Sequence, residues 1–180
     1  METVDIHREA ENVPAWYVVY IRSHHEAKVQ SYLQSQGIQA FVPWISVPSR
    51  RQDRFQLLRV PLFSGYLFVQ TDMNPKDYNT IIRHKSVVHI VGGKDHSSSI
   101  PTEKIESLRT ILEYGQTVYI LDGRAPGRKV RLAAGPLAGV AGILCRRKGG
   151  KCRLAVEIEP LGKSVAVDVE VAEKEAENIS

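Results

Sequence analysis

The segment Pro61-Leu62-Phe63-Ser64-Gly65-Tyr66-Leu67-Phe68-Val69-Gln70 decides how the first half of the chain folds. The two-residue period of a β-strand places Tyr66 and Phe68 on one face of this segment. The other face carries Leu67 and Val69. Both faces are apolar, so each needs a cover, either from helices of the same chain or from a binding partner. A central strand buried on both sides and a strand that keeps one face for a partner both agree with the pattern.

The composition is that of a globular protein without a membrane segment. The chain has 180 residues, with 24 Lys and Arg against 20 Asp and Glu, and no apolar run is long enough to cross a bilayer. Residues 1–13 mix charges of both signs and lack the apolar stretch of a secretory signal, so we expect a flexible N-terminus and a cytoplasmic protein. Cys145 and Cys152 fit neither a disulfide framework nor metal-ligand spacing, so we expect no cofactor and no metal.

The elements of the first half alternate between strand and helix. Trp16 to Ile21 reads as a strand, and Ser23 with Glu26 forms a capping box that starts a helix ending at Gly37. A short strand follows at residues 38–42, and the basic residues 49–59 predict a mobile hairpin or loop.

Strands and helices continue to alternate after the segment 61–70. Asn74-Pro75 starts a second helix, residues 87–91 form a strand, and a last helix with Ile105, Leu108 and Leu112 on one face ends at Gly115. This order predicts an α+β fold over residues 14–115, a ferredoxin-like sandwich with an antiparallel sheet and helices on one face. The other face of the sheet, with Tyr66 and Phe68, is then left to be filled.

Turn residues separate a second region from the first. Residues 116–127, with the run 122–127, are predicted to be a linker, and residues 128–172 alternate with a period of two. A hairpin that turns at Gly149-Gly150 places Ile143 opposite Val156 and apolar residues on one face. About four strands in this space predict a small β-barrel, followed by a frayed acidic tail at 173–180.

Positive charge is concentrated in this second region. The acids between residues 116 and 163 are Asp122, Glu157 and Glu159. The cations in the same span are Arg124, Arg128, Lys129, Arg131, Arg146, Arg147, Lys148, Lys151, Arg153 and Lys163. Such a balance favours nucleic acid or an acidic ribonucleoprotein surface as a neighbour, and a solvated basic surface is the alternative.

Several of these segments together resemble the NusG-type transcription elongation factors, which join an NGN domain to a KOW domain. The matching residues of the first region are Trp16-Tyr17-Val18-Val19, Glu26, the 61–69 segment and Gly92-Gly93. Those of the second region are 127–132, the KOW-like run 135–142 and Leu161-Gly162. Ser64 departs from the proline that is usual in the family. The regions 22–26 and 51–55 are more similar to specialised RfaH-like paralogues than to the housekeeping factor.

The resemblance implies a protein that acts by binding and suppresses transcriptional pausing and termination. In the family, the sheet face docks on the clamp helices of the largest RNA polymerase subunit, and the matching anchors here are Phe63, Tyr66 and Phe68. Contact with the non-template DNA strand is implied for Arg22, Lys28, Tyr32, His84 and Lys85. In the KOW domain the implied partner is ribosomal protein S10 or the terminator Rho, and the implied contact residues are Pro136, Leu137 and Val140.

Two other functions are compatible with parts of the sequence. One is a ribosomal or RNA-binding KOW module that uses a basic barrel face with Lys129, Arg131, Arg146 and Arg153. The other is an enzyme that uses His24-His25, but adjacent helix residues point in different directions and no third group is matched to them. We therefore expect no catalytic activity.

Overall fold

The computed structural model describes residues 14–49, 56–92, 98–146, 152–170 and 176–179. In chain order, the elements are β1 (Ala15–Ile21), α1 (Glu26–Ser35), β2 (Gln39–Phe41), β3 (Trp44–Pro48), β4 (Leu57–Pro61), β5 (Tyr66–Thr71), α2 (Pro75–Arg83), β6 (Val87–Ile90), α3 (Thr102–Glu113), β7 (Val118–Asp122), β8 (Arg128–Leu132), β9 (Ala141–Arg146), β10 (Cys152–Ile158), β11 (Lys163–Val169) and β12 (Ala176–Asn178). No helix in this described part is both long enough and apolar enough to cross a membrane.

The first sheet has four strands in the order β2-β5-β1-β6, and all of its pairs are antiparallel. Helices α1 and α2 cover one face of it: Val29, Leu33 and Ile81 are fully buried in one cluster with residues of β1 and β5. This order and the helices on one face are those of the predicted ferredoxin-like sandwich. The α+β fold class is therefore confirmed.

The two faces of β5 are those predicted from its alternation. Leu67 and Val69 lie in the cluster under α1 and α2, whereas Phe68 lies on the opposite face. That opposite face is covered at its centre by α3, whose Ile105 and Leu108 share a buried cluster with Phe68. The expectation that this face is left open for a partner is therefore wrong at its centre. The amphipathic α3 finds there the apolar surface that it needs to bury.

The start of α1 differs from the predicted capping box. The helix begins at Glu26 with His25 as its N-cap residue, and no side chain caps it. The carboxylate of Glu26 instead accepts a hydrogen bond of 2.8 Å from the backbone N–H of Gly65. A buried backbone donor in the turn before β5 thus takes the acceptor that the capping box assigned to Ser23. The predicted stop at Gly37 is confirmed, since Gly37 has a φ of 80°.

The start of α2 follows the sequence prediction. Asn74 Oδ1 accepts a hydrogen bond of 2.9 Å from the N–H of Asp77, and Pro75 occupies the first turn. A mobile hairpin or loop was predicted over residues 49–59, and a hairpin is present, but its strands begin earlier and end later. Strands β3 and β4 pair from Trp44 opposite Pro61 to Pro48 opposite Leu57. Residues 50–55 at its tip lie outside the described residues.

The second sheet has six strands in the order β12-β8-β9-β10-β11-β7. Its first strand, β7, lies inside the predicted linker 116–127 and pairs with β11. Residues 118–121 are β-branched, aromatic or apolar and so favour a strand, and turn chemistry begins only at Asp122-Gly123. Likewise, β12 lies inside the tail expected to be frayed and pairs with β8, where Ala176 is buried.

The hairpin between β9 and β10 is shifted by one residue from its predicted register. Leu144 pairs with Leu154 and Ile143 pairs with Ala155, so the predicted pair of Ile143 with Val156 is wrong. A slip of one residue moves every β9 side chain to the opposite face. Leu144 thereby joins the large core with Leu154, and the predicted turn glycines lie outside the described residues.

Helix α3 connects the two sheets. One face of α3 packs on β1 of the first sheet, and another face packs on β9 and β10 of the second sheet. The Ser107 hydroxyl accepts a hydrogen bond of 3.2 Å from the N–H of Ala141, and ion pairs join Glu103 to Arg131 and Lys104 to Glu159. One buried apolar cluster therefore runs from the first sheet through α3 into the second sheet.

Candidate functional site

A row of three aromatic rings crosses the first sheet on the face opposite α1 and α2. Tyr20 of β1 is the cross-strand neighbour of Tyr66 of β5 and of His89 of β6. The Tyr20 ring lies 5.1 Å from the Tyr66 ring and 5.3 Å from the His89 ring, measured between centroids. Tyr20 and Tyr66 are half-buried and His89 is exposed. We call these three residues the aromatic row.

The sequence predicted only one member of the aromatic row. Tyr66 is accessible, as the predicted polymerase contact must be, but Phe63 is 4% exposed and Phe68 is fully buried. Both therefore lie in the core, with their rings 6.3 Å apart, and neither is an accessible anchor in this structure. Tyr20 and His89 were missed, although the alternation of β1 already indicated that Tyr20 shares a face with Trp16.

Two residues of the aromatic row, Tyr66 and His89, line a cleft of about 320 Å³. Tyr66, His89 and Val91 line the side of the first sheet. The opposite wall comes from the second sheet and the turn before β11, with Ile120, Pro160 and Leu161. The cleft therefore lies between the two sheets, beside the face that α3 covers.

The turn that precedes Tyr66 is held by buried hydrogen bonds. Gly65 has a φ of 80°, and a Cβ at this position would lie 3.2 Å from the carbonyl oxygen of Ile21. The N–H of Ile21 donates to the carbonyl oxygen of Gly65 at 2.8 Å, while Glu26, which is 2% exposed, accepts from the N–H of Gly65. Only glycine suits this backbone conformation and close approach. The position of Tyr66 is thus fixed by the start of α1.

The five residues predicted to contact DNA lie on one surface, at the end of the first sheet where α1 begins. Lys28 and Tyr32 come from α1, and His84 and Lys85 come from the turn between α2 and β6. The rings of Tyr32 and His84 lie 4.8 Å apart. The fifth residue, Arg22, donates its backbone N–H to the carbonyl oxygen of Ser86 at 2.8 Å. We call these five residues the basic surface.

The electrostatics of the basic surface single out His84. Burial lowers the pKa of His84, and the positive charges of Lys28, Lys85 and His25 lower this pKa further. Arg22, Lys28 and Lys85 are exposed. The surface therefore combines exposed cations with an imidazole that favours its neutral form near pH 7.

Two of the three residues predicted to contact a KOW partner are buried. Leu137 is 3% exposed and Val140 is 2% exposed, and both belong to the cluster that the second sheet shares with α3. The loop folds back on β8, because the N–H of Leu132 donates to the carbonyl oxygen of Val140 at 3.0 Å. Only Pro136 is exposed, so the expectation that all three form an accessible contact is wrong for this structure.

The basic face of the second sheet is less available than its composition suggests. Arg153 is 9% exposed, its Nε donates to Asp168 at 2.7 Å, and its guanidinium lies 3.8 Å from the Tyr119 ring centroid. Arg131 forms an ion pair with Glu103 of α3. Lys129 is exposed, and the side chain of Arg146 lies outside the described part of the chain. This arrangement gives little support to an RNA-binding face here.

The chain joins an antiparallel α/β domain to a β-rich domain, and the aromatic row and the basic surface are its candidate binding sites. The family model for NusG, described as transcription termination factor, matches residues 14–109 of the chain. The chain belongs to the NusG family, whose members are transcription factors and not enzymes. The predicted family resemblance is confirmed.

Relatives that are matched over nearly their whole length are described as transcription termination/antitermination proteins. The chain is 25% identical over 171 residues to the transcription termination/antitermination protein NusG of Pseudomonas aeruginosa, covering 89% of this chain and 97% of the relative. The NusG protein of Borreliella burgdorferi is 22% identical over 174 residues, covering 87% and 95%. A solved structure described as the domain interaction in Thermotoga maritima NusG aligns over 93% of this chain and 98% of that one, with 23% identity and a TM-score of 0.47.

Proposed function

We propose that this transcription termination/antitermination factor binds RNA polymerase through the aromatic row. The proposed partner of the row is the pair of clamp helices of the largest polymerase subunit, with Tyr66, at the edge of the cleft, as the main anchor. The observation that carries this proposal is the half-buried Tyr66 between an apolar core and an open cleft. Aromatic side chains in such positions contribute about 2 kcal/mol or more to binding. Phe63 and Phe68 support the row from beneath.

The basic surface is proposed to contact the non-template DNA strand at the same time. The aromatic row lies on the sheet face opposite α1 and α2, whereas Lys28 and Tyr32 lie on α1 itself. Two partners on different sides of one sheet do not compete for space. The exposed Arg22, Lys28 and Lys85 would neutralise phosphates, and Tyr32 would offer a ring for base stacking.

The proposed consequence is that the factor holds the polymerase clamp closed over the nucleic acid, so that pausing is suppressed and antitermination is favoured. The second sheet would recruit a further partner, ribosomal protein S10 or Rho, with the exposed Pro136 at the contact. We propose that the chain is a specialised RfaH-like paralogue acting in the cytoplasm. The regions 22–26 and 51–55 support this specialisation at the level of sequence alone.

The polymerase proposal is tested by pull-down with core RNA polymerase. His89→Ala and Tyr66→Ala remove rings from the aromatic row, and each is expected to reduce retention at least tenfold. Val88→Ala is the matched control, because Val88 is 55% exposed on the same strand but is not among the residues that line the cleft. Equal retention of the row variants and the control would contradict the proposal.

A further inference from the structure

Two neighbouring cavities lie beside the β3–β4 hairpin, apart from the cleft at the aromatic row. The first has a volume of about 230 Å³ and the second of about 350 Å³. Trp44 of β3 and Leu112 of α3 line both cavities, so the two spaces adjoin at these side chains. Among the described residues, none that lines these cavities also lines the cleft of Tyr66 and His89. Together the two cavities have the size of a small-molecule site.

The first cavity is lined by two guanidinium groups, and aromatic rings hold both of them. The Cζ atom of Arg59 lies 5.0 Å from the centroid of the Trp44 ring. The Cζ atom of Arg109 lies 4.8 Å from the Phe41 centroid and 5.3 Å from the Trp16 centroid. Such cation–π contacts restrict both side chains before a ligand binds. Because a guanidinium presents its donors in a planar fork that matches phosphate oxygens, the first cavity fits a polyphosphate.

The carboxylates near the first cavity neutralise only part of this positive charge. Nη1 of Arg109 donates to Oε1 of Glu106 at 3.0 Å, which leaves the other N–H donors of the guanidinium for a ligand. Arg59 is exposed, and none of the ion pairs between described residues includes it. Glu113 also lines the cavity, and its exposed carboxylate opposes a bound anion. Glu113 therefore provides a charge test of the site.

The second cavity runs along the edge of β3 that lies away from β4. All residues of the range 44–48 line it, although neighbouring side chains of a strand point to opposite faces. The N–H of Leu62 donates to the carbonyl oxygen of Pro43 at 2.7 Å, so these residues form a hydrogen-bonded pair. Hydrogen-bonded and non-hydrogen-bonded pairs alternate along an antiparallel ladder, which makes Ser46 opposite Arg59 a non-hydrogen-bonded pair. The backbone N–H and C=O of Ser46 therefore point away from β4, toward this cavity.

The side chains that line the second cavity are uncharged throughout the described part of the chain. Ile45, Leu112 and Val118 are partly buried, and each packs against the large core cluster. Trp44 is half-buried and lines both cavities, so part of its ring surface is accessible to a ligand. A flat, uncharged ring can pack on Trp44 while its polar edge meets the backbone of Ser46.

We infer that the two cavities form one site for a nucleoside polyphosphate. The phosphates lie between Arg59 and Arg109 in the first cavity. The base lies against Trp44 in the second cavity, where the N–H and C=O of Ser46 pair with the donor and acceptor groups of its edge. Because Arg59 belongs to the hairpin and Arg109 to α3, the bound nucleotide links these two elements. The site is separate from the aromatic row and does not depend on the proposed polymerase contact.

Both tryptophans of the chain are suited to report binding at this site. The sequence contains two tryptophans: Trp44 lines both cavities, and Trp16 lies under the guanidinium of Arg109. Energy transfer from tryptophan to a methylanthraniloyl-labelled ATP therefore follows binding to the full chain. Unlabelled ATP is expected to displace this probe. Adenosine and inorganic tripolyphosphate each fill only one cavity, so each is expected to bind at least about tenfold more weakly than ATP.

Substitutions that change one charge locate the phosphates. Arg59→Gln and Arg109→Gln each remove a charge-assisted contact and are expected to weaken ATP binding about tenfold. Glu113→Gln removes the opposing carboxylate and is expected to tighten ATP binding about twofold. Lys129→Gln is the matched control, because Lys129 is an exposed cation on β8 that lines neither cavity. This control is expected to bind ATP as the wild type does.

The possible results separate a nucleotide site from simpler explanations. Equal displacement of the probe by ATP and by tripolyphosphate would make the arginines a general anion patch and overturn the inference. Undiminished ATP binding in Arg59→Gln and Arg109→Gln, or an equal loss in Lys129→Gln, would also overturn it. Absence of energy transfer together with absence of ATP binding by calorimetry would show that the site does not exist. These results leave the polymerase pull-down untouched, because its variants change the aromatic row.

Discussion

Glu26 and Gly65 are joined by a hydrogen bond of 2.8 Å across 39 residues of sequence. The carboxylate is 2% exposed and belongs to the first turn of α1, while the N–H belongs to the turn that precedes Tyr66. One contact therefore ties the helix that carries Lys28 and Tyr32 to the strand that carries the aromatic row. The two proposed binding surfaces share this anchor.

Removal of the Glu26 carboxylate is expected to destabilise the chain and weaken both surfaces. Glu26→Ala leaves the N–H of Gly65 without its partner in a buried site, which costs about 1–3 kcal/mol. Glu26→Gln keeps an acceptor oxygen and should recover most of this loss. Urea unfolding of the two variants measures the difference, and a Glu26→Ala variant as stable as wild type would show that the bond is unimportant.

Alanine at Gly65 is expected to lower the free energy of unfolding more than alanine at Gly37 does. Both glycines have a φ of 80°, so alanine is strained by about 1–2 kcal/mol at either position. A Cβ at Gly65 also meets the carbonyl oxygen of Ile21 at 3.2 Å, whereas a Cβ at Gly37 meets nothing within 4 Å. The free energy of unfolding should therefore fall further for Gly65→Ala than for the matched Gly37→Ala. Equal losses would mean that the close approach relaxes freely.

Alanine substitutions at Phe68 and Tyr66 are expected to have different effects, the first mainly on stability and the second mainly on polymerase binding. Phe68 is fully buried, so Phe68→Ala should lower the free energy of unfolding by about 3–5 kcal/mol. Tyr66 is half-buried at the cleft, so Tyr66→Ala should cost less stability but more polymerase affinity per folded molecule. Thermal unfolding and pull-down of the same preparations measure both quantities. A small stability loss in Phe68→Ala would contradict its place in the core.

The lowered pKa of His84 gives a pH dependence of stability with a definite sign. The unfolded state binds the proton more readily than the folded state, so the free energy of unfolding falls as the pH drops through the ordinary histidine pKa of about 6.5. His84→Asn removes this titration. The difference in stability between pH 8 and pH 5.5 should therefore be smaller in His84→Asn than in wild type. An equal difference in the two proteins would place the pH dependence elsewhere.

Local patterns in the sequence predicted the first sheet well because its elements carry their own signals. The alternation of 66–69 gave the two faces of β5, and Asn74-Pro75 gave the start of α2. No local signal predicted that α3 packs on both sheets, because its contact with the second sheet depends on the positions of β9 and β10. The register of Leu144 against Leu154 also depends on the length of a turn whose conformation the sequence leaves open.

Only part of the candidate site could be predicted, because some of its residues are brought together by tertiary structure. The basic surface combines residues from two segments that a family resemblance already linked, and the structure brings Tyr32 and His84 into contact. The aromatic row depends on the registers of three strands at once, so Tyr20 and His89 could not be placed beside Tyr66 from sequence alone. Burial of Phe63 and Leu137 follows from tertiary packing that no single segment encodes.

Site-specific photocrosslinking shows whether the aromatic row contacts the largest polymerase subunit. A benzophenone side chain is placed at His89, which is exposed in the row, and as a control at Ile82, which is 40% exposed on α2 on the other face of the sheet. With core RNA polymerase, the His89 probe is predicted to crosslink to the largest subunit and the Ile82 probe is not. A crosslink from position 82 with none from position 89 would contradict the account.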